Sequence, residues 1–148
     1  MSDLGQSMKV VLADTFGMML NSLNFHWNVE GRDFFQYHGL FQQIYEELFD
    51  AIDTVAEHIR ALDEYAPASY TRYKELTTVD EEIKIPTASA MVERLLLTND
   101  RVLESIAKAL EQAKLANDEG LVNFLGGRRE AHTKHGWMLR ATTKKNRE

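Results

Sequence analysis

The chain has 148 residues, 44% of them hydrophobic and 27% charged, which is typical of one soluble globular domain with a real core. The formal net charge of −6 predicts a body that attracts cations and repels nucleic acid. Cysteine is absent, which excludes disulfides, thiolate metal sites and a cysteine nucleophile and fits a reducing, cytoplasmic compartment.

The first predicted element is a helix from about Leu4 to Val29, along which apolar residues recur at near-helical spacing. Gly31 follows it as a typical helix stop. Neither this stretch nor any other contains the roughly 18 to 20 consecutive apolar residues of a membrane span, and the start of the chain lacks a signal-like block. We therefore expect a cytoplasmic protein without a membrane partner.

A second helix is predicted from about Phe35 to Leu62, with a continuous apolar stripe along one side. The stretch from Asp63 to Pro86 then forms the longest connection. It contains both prolines and a short amphipathic piece around residues 70–76. A connection of this length is typical of a crossover along a helical bundle.

Thr87 or Ser89 can cap the start of the third helix, which runs to about Asn117. Gly120 marks the next junction, and the fourth helix covers about residues 121–141. The whole chain is thus predicted to be a single all-α domain. Its architecture is a four-helix bundle with a long central crossover that carries a short helix.

A stripe of polar residues follows the second helix beside its apolar face and contains potential metal ligands: His38, Gln42, Glu46, Asp53 and Glu57. The simplest alternative is an ordinary solvated face, because carboxylates often recur at helical intervals there. Phe49 lies on the same stripe, and a large aromatic residue at this place indicates a covered surface, most simply one covered by another subunit.

The length of the second helix decides how these ligands can meet. His38 and Asp53 lie about 22 Å apart along it, too far to bind one ion within a chain. If the helix packs antiparallel against a two-fold copy of itself, His38 of one chain meets Asp53 and Glu57 of the other, and His26 can reach the same place. A dimer then has two equivalent sites, whose mixed nitrogen and oxygen ligands suit Fe(II), Mn(II) or Zn(II).

The competing arrangement is a di-iron site inside one bundle, which requires Glu-x-x-His motifs on two helices. None of the five histidines has a glutamate three residues before it. His132 and His135 share a face of the fourth helix, where we expect a surface or interface role, with a zinc pair as the alternative. Trp27 and Trp137 are interpreted as packing residues, and His58 as structural.

The segment between residues 26 and 59 carries a specific combination of motifs. It reads His26-Trp27-Asn28-Val29-Glu30-Gly31, then Phe34 and His38, then Asp53-x-x-Ala56-Glu57-x-Ile59. Together with residues 70–76 and 137–141, this segment resembles the Dps family (DNA protection during starvation). The resemblance covers nearly the whole chain. Members of that family are dodecameric miniferritins of the ferritin-like superfamily.

The resemblance implies a ferroxidase, an enzyme that oxidises Fe(II), with its sites at a two-fold dimer interface. The ligands would be His26 and His38 of one chain and Asp53 and Glu57 of the other. It also implies a hollow shell of twelve subunits in which iron is oxidised, typically by hydrogen peroxide, and stored as ferric mineral. Such chemistry removes Fe(II) and peroxide together and so protects against oxidative damage.

One position departs from the family pattern. Family members usually have a carboxylate four residues after the second histidine, where this chain has Gln42, a neutral and weaker ligand for a hard cation. Glu46, one turn further on, can compensate in part. The alternative hypothesis is a Dps-like shell whose metal site is degenerate and which acts as a DNA-binding or structural protein.

The resemblance also suggests an acidic three-fold pore through which iron enters, formed by Asp118, Glu119 and Asn123, the last at a position that is often acidic. Favourable placement at a helix start explains Asp118 and Glu119 equally well. DNA binding is a weaker expectation. Because the first helix is predicted to start almost at once, DNA would have to bind through the short basic tail, residues 142–148, with twelve copies acting together.

Overall fold

The computed structural model describes residues 3–144. Within that range it contains five helices: α1 (Asp3–Asn28), α2 (Phe34–Ala61), α3 (Tyr70–Leu76), α4 (Ala88–Leu115) and α5 (Glu119–Thr142). The four long helices form a bundle, and the short α3 lies in the connection between α2 and α4. The predicted all-α fold and its crossover are therefore confirmed. Residues 145–148 of the predicted basic tail lie outside the described residues.

The ends of the long helices are set by local hydrogen bonding. Beyond α4, Asn117 has a φ of 54°, and the backbone amides of Asn117 and Asp118 donate to the carbonyls of Lys114 and Ala113, both at 3.1 Å. The Asp118 carboxylate then accepts the Leu121 amide at 3.1 Å and caps α5. The fourth long helix consequently starts at Glu119, two residues earlier than predicted, and Gly120 lies inside it.

The bundle consists of two helical hairpins that pack side by side. Helix α1 packs against α2 and also against α4, and α4 packs against α5. Their inward faces bury a continuous apolar core, whose largest fully buried members include Phe25, Phe41, Met18, Leu48 and Ile106. Among the described residues, no helix combines the length and apolarity needed to cross a bilayer.

A buried carboxylate anchors the crossover to the bundle. Asp14 of α1 is fully buried and accepts hydrogen bonds from Thr77 Oγ1 (2.7 Å), the Thr78 amide (2.7 Å), Thr78 Oγ1 (2.8 Å) and Ser105 Oγ (2.5 Å). These four bonds occupy both carboxylate oxygens, so the charge is stabilised without a cation. They fix the end of α3 to α1 and α4.

Candidate metal centre

The two histidines of the signature segment meet where α1 ends and α2 begins. His26 Nδ1 lies 2.7 Å from the carbonyl oxygen of residue 38, and His38 Nδ1 lies 2.7 Å from the carbonyl oxygen of residue 26. A carbonyl oxygen can only accept, so each Nδ1 carries the hydrogen and donates it. In the neutral rings each Nε2 therefore keeps a free lone pair, which is the form that binds a metal ion.

The surroundings of the pair explain why this geometry forms. The carbonyl of residue 26 lies in the last turn of α1, where carbonyls have no helical partner, and the His38 ring satisfies it. The two imidazoles stack with centroids 3.8 Å apart, Phe34 stacks on the other face of His38 at 4.8 Å, and Tyr45 meets His26 edge-on at 5.1 Å. His26 is buried and His38 is half-buried, so the rings are held rigidly by packing.

The two predicted carboxylate ligands lie elsewhere on the chain. Asp53 and Glu57 are exposed, four residues apart on one side of α2, so they can act on the same ion. Asp53 is some four turns of helix from His38, about 22 Å along the axis, and Glu57 is about one turn further. The structure thus brings the histidines together and the carboxylates together, but not the two pairs. In the described range, no group of three or more such side chains could hold a metal ion within the chain.

The two additional candidate ligands interact with each other. Gln42 Nε2 donates a hydrogen bond to Glu46 Oε1 at 2.9 Å. The amide therefore directs the glutamate along the outer side of α2, between the histidine pair and the carboxylate pair. Glu46 remains exposed and keeps its second oxygen available to a cation.

The three predicted pore residues lie at the start of α5 and differ in role. Asp118 is half-buried and engaged as the cap of that helix. Glu119 and Asn123 are exposed and border a surface concavity that also contains Lys114. The ammonium group of Lys114 makes this surface less acidic than the sequence suggests.

A polar cluster inside the bundle was not predicted. His132 and His135 are fully buried, so the expected surface or interface role is wrong for this chain. Together with Arg128 they occupy the same inward side of α5 as its apolar residues Leu121, Leu125 and Leu139. This spacing, 121-125-128-132-135-139, was the available signal, since it places the three polar residues in core positions.

Hydrogen bonds link the buried cluster to α2 and α4. Glu47 of α2 accepts from both terminal nitrogens of Arg128 and, at 2.8 Å, from His135 Nε2. His132 Nε2 accepts from Arg128 Nη2 at 3.2 Å, so His132 Nδ1 carries the hydrogen and donates it to Asn99 Oδ1 at 2.7 Å. The cluster therefore ties the two hairpins together across the bundle.

The cluster holds its members in defined ionisation states. Burial opposes the charge on Glu47, but the bonds and charges of His135 and Arg128 outweigh it and lower the pKa of Glu47 from 4.5 to about 2. Burial, with the nearby charges of Arg128 and His135, lowers the pKa of His132 from 6.5 to about 3. At neutral pH, Glu47 is ionised and His132 is neutral.

The remaining aromatic predictions have mixed outcomes. Trp27 and Trp137 are 67% and 61% exposed, so they do not pack in the core of this chain. His58 packs against Phe124 of α5 with ring centroids 4.4 Å apart and ring planes tilted by 34°, in keeping with a structural role.

A family model and two similar relatives point to the same protein family. The model of a family described as a ferritin-like domain matches residues 8–148. The chain is 36% identical over 118 residues to DNA protection during starvation protein 2 of Bacillus anthracis, covering 80% of this chain and 81% of the relative. It is 32% identical over 135 residues to the DNA protection during starvation protein of Helicobacter pylori, covering 90% and 94%.

Solved structures resemble this fold over nearly its full length. The Dps of Thermosynechococcus elongatus superposes with a TM-score of 0.93 at 26% identity, covering 97% of this chain and 91% of that one. The Dps of Vibrio cholerae O1, described as a member of a broad superfamily of ferritin-like diiron-carboxylate proteins, gives a TM-score of 0.91 at 27% identity. That superposition covers 95% of this chain and 89% of that one.

Proposed function

This chain belongs to the Dps family of ferritin-like proteins, and from that premise we propose that it is a ferroxidase and iron-storing miniferritin. It oxidises Fe(II) at sites shared between two subunits, stores the ferric product as mineral inside a shell, and thereby protects against oxidative damage. Iron is the substrate and the stored cargo.

The observation that carries the proposal is the state of the histidine pair. Both Nδ1 atoms are committed to backbone carbonyls, so both Nε2 atoms are left as ligands. Asp53 and Glu57 of a second subunit supply the oxygen ligands, which favour the harder ferric product over Fe(II). The carboxylates also compensate the positive charge that accumulates as iron is oxidised.

The reaction that suits a paired site is a two-electron reduction of hydrogen peroxide. Two Fe(II) ions each lose one electron, and peroxide takes both electrons and two protons to give two water molecules. His26, His38, Asp53 and Glu57 hold the reacting ions. Gln42 offers only a neutral amide oxygen, so the second ion binds more weakly than the first; Glu46, which Gln42 orients, supplies a carboxylate nearby.

The proposal requires a homo-oligomer. Three large aromatic residues on the outer surfaces of α1 and α2 support it: Trp27, Phe35 and Phe49 are 67%, 82% and 64% exposed. Burial of these side chains between copies of α2 gives the two-fold dimer, and six such dimers form the cytoplasmic dodecamer that the family likeness suggests. Asp118, Glu119 and Asn123 then border the three-fold pore through which Fe(II) enters.

The test compares the protein with a His26→Ala, Asp53→Ala double variant. Anaerobic Fe(II) followed by peroxide should produce ferric absorbance in a particle of dodecameric mass, and the double variant should react at the rate of iron in buffer. Equal rates for the two proteins would show that the shared site does not oxidise iron. The particle mass of the variant, measured by light scattering, controls for loss of assembly.

A shell that binds DNA, with a degenerate metal site, is the second candidate. Four exposed basic residues along and just after α5 favour it: Arg129, Lys134, Arg140 and Lys144. DNA retardation at low salt that is lost on deletion of residues 141–148 supports this function. A lack of retardation by the intact protein at low salt eliminates it.

A further inference from the structure

Phe35 is unusually exposed for an aromatic residue. It lies in the first turn of α2, is 82% exposed, and contacts the ring of Phe34 edge-on with centroids 5.4 Å apart. Phe34 in turn stacks on His38. The exposed ring therefore stands next to the histidine half of the candidate site, and whatever covers Phe35 also lies close to that half.

An open recess lies at the other half of the site. Its volume is about 580 Å³, and it lies between α2 and the segment that leads into α3. Its lining is mostly apolar or small and includes Phe49, Ala56, Pro67, Ala68 and Tyr73. Asp53 lies in the same lining, so the recess adjoins the carboxylate pair. The recess is large enough for an aromatic side chain, which would bury apolar surface against this lining.

The register of the shared site places these two features together. If residue 38 of one α2 lies opposite residues 53 and 57 of an antiparallel copy, then residue 35 lies opposite residues 56–60. Phe35 and Asp53 are also separated by about five full turns, so they share one side of the helix. The small side chain of Ala56 leaves room at that place.

We propose that Phe35 of each subunit inserts into the recess beside Asp53 of its partner, and that this contact sets the register at which the histidines of one chain meet the carboxylates of the other. The inference rests on the proposed function, because it uses the shared site to fix the register. The occupant is a second copy of this chain, and two-fold symmetry makes the contact twice.

Charge complementarity supports the same pairing. The start of α2 carries the positive end of the helix dipole, and the exposed Arg32 just before it offsets the carboxylate of Asp33, 3.6 Å away. The recess carries the carboxylates of Asp50 and Asp53. An antiparallel pair of α2 helices thus brings a positive end to an acidic surface at both ends of the dimer, whereas a parallel pair would bring the two positive ends together.

The absence of cysteine in the chain allows a direct test by disulfide trapping. The variant Phe35→Cys, Ala56→Cys is oxidised and analysed on a non-reducing denaturing gel. Within one chain the two positions are about 31 Å apart along a single helix, far beyond the reach of a disulfide. Most of the chain is expected as a covalent dimer that reverts to monomer on reduction.

Two controls separate a specific contact from random collision. The matched variant Gln36→Cys, Ala56→Cys moves one cysteine to the next position, on a different side of α2, and should cross-link at least tenfold more slowly. Each single-cysteine variant should remain monomeric on the gel. Cross-linking of the matched variant as fast as the test variant, or no covalent dimer from the test variant, would overturn the proposal.

The result is distinguishable from failure of the proposed function. If the protein oxidises iron no faster than the His26→Ala, Asp53→Ala variant but the 35–56 disulfide forms, the contact stands and the ferroxidase does not. If iron oxidation is normal and no disulfide forms, the proposed contact of Phe35 with the partner's recess is wrong. A Phe35→Ala variant provides a second measurement, since it should raise the dimer dissociation constant about tenfold or more in sedimentation.

Discussion

His26 and His38 are fixed by the backbone as much as by their own chemistry. Each ring donates to the other's main-chain carbonyl, which selects one tautomer in both. The sequence predicted both residues as ligands from their type and spacing. It could not predict the reciprocal bonds, because these depend on how the turn at Gly31, with a φ of 121°, returns α2 against the end of α1.

Gln42 is the residue at which a single substitution should improve the site. A Gln42→Asp variant replaces a neutral amide with a carboxylate and should strengthen the second metal position about tenfold, or ~1.4 kcal/mol. Anaerobic titration with Fe(II) measures the affinity, and stopped-flow mixing with peroxide measures the rate. Gln43→Asp, on the exposed neighbouring position, is the matched control. Equal effects of the two substitutions would argue that only net charge matters.

His132 should make the folded protein sensitive to acid. Well above pH 6.5, neither the folded nor the unfolded chain binds a second proton at the His132 ring. Between pH 6.5 and about 3 the unfolded chain binds one and the folded chain does not, so stability falls as the pH is lowered. Glu47, with a folded pKa of about 2, adds a loss in the same direction below about pH 4.5.

The test of this linkage is denaturant unfolding at fixed protein concentration between pH 7.5 and 5. Stability should fall with a slope approaching about 1.4 kcal/mol per pH unit from His132 alone. A His132→Gln variant should lose this part of the slope, whereas His58→Gln, which alters a half-exposed ring, should keep it. An unchanged slope in the His132 variant contradicts the assignment.

At the scale of elements, helix boundaries were the most predictable feature. Thr87 was expected to cap the third long helix and does, accepting the Ala90 amide at 3.3 Å. The inward side of α5 was the least predictable. Arg128, His132 and His135 are polar by type yet sit in core positions, and only the partner helices, which supply Glu47 and Asn99, make their burial favourable. A single helical pattern does not contain that information.

The anchoring of the crossover gives a prediction for the elements it joins. An Asp14→Asn variant replaces an oxygen acceptor with an amide donor opposite Thr77, Thr78 and Ser105, and it should destabilise the fold by about 2–4 kcal/mol. Chemical denaturation measures the loss, and limited proteolysis should cut first within residues 77–87. Asp3→Asn, at an exposed position, is the control. An equal effect of both substitutions would contradict the anchoring role.

For the whole molecule, the proposed shared site predicts complementation between two variants that are each inactive alone. Dimers of His26→Ala or of Asp53→Ala alone lack a ligand at both sites. In a mixed dimer, one site lacks both ligands and the other site is intact. About half of the dimers formed by refolding the two variants together are mixed, so about one quarter of all sites should be restored.

Iron oxidation by the mixed sample, compared with each variant alone, measures this recovery. Mixing His26→Ala with His38→Ala is the matched control, because both losses fall on the histidine half and every site stays damaged. Recovery in neither mixture would place all ligands on one chain, and recovery only in the control would place the two histidines on different chains.

The length of α2 has a consequence for the release of radicals. In the proposed dimer one helix carries a half-site near each end, so the two iron sites would lie some 22 Å apart, too far for one peroxide molecule to contact both. Peroxide must therefore take both electrons at a single centre. If the ion beside Gln42 is absent, the site supplies only one electron, and the one-electron reduction of peroxide gives a hydroxyl radical and a hydroxide ion. The neutral amide of Gln42 thus affects how much hydroxyl radical the site releases as well as how fast iron is oxidised.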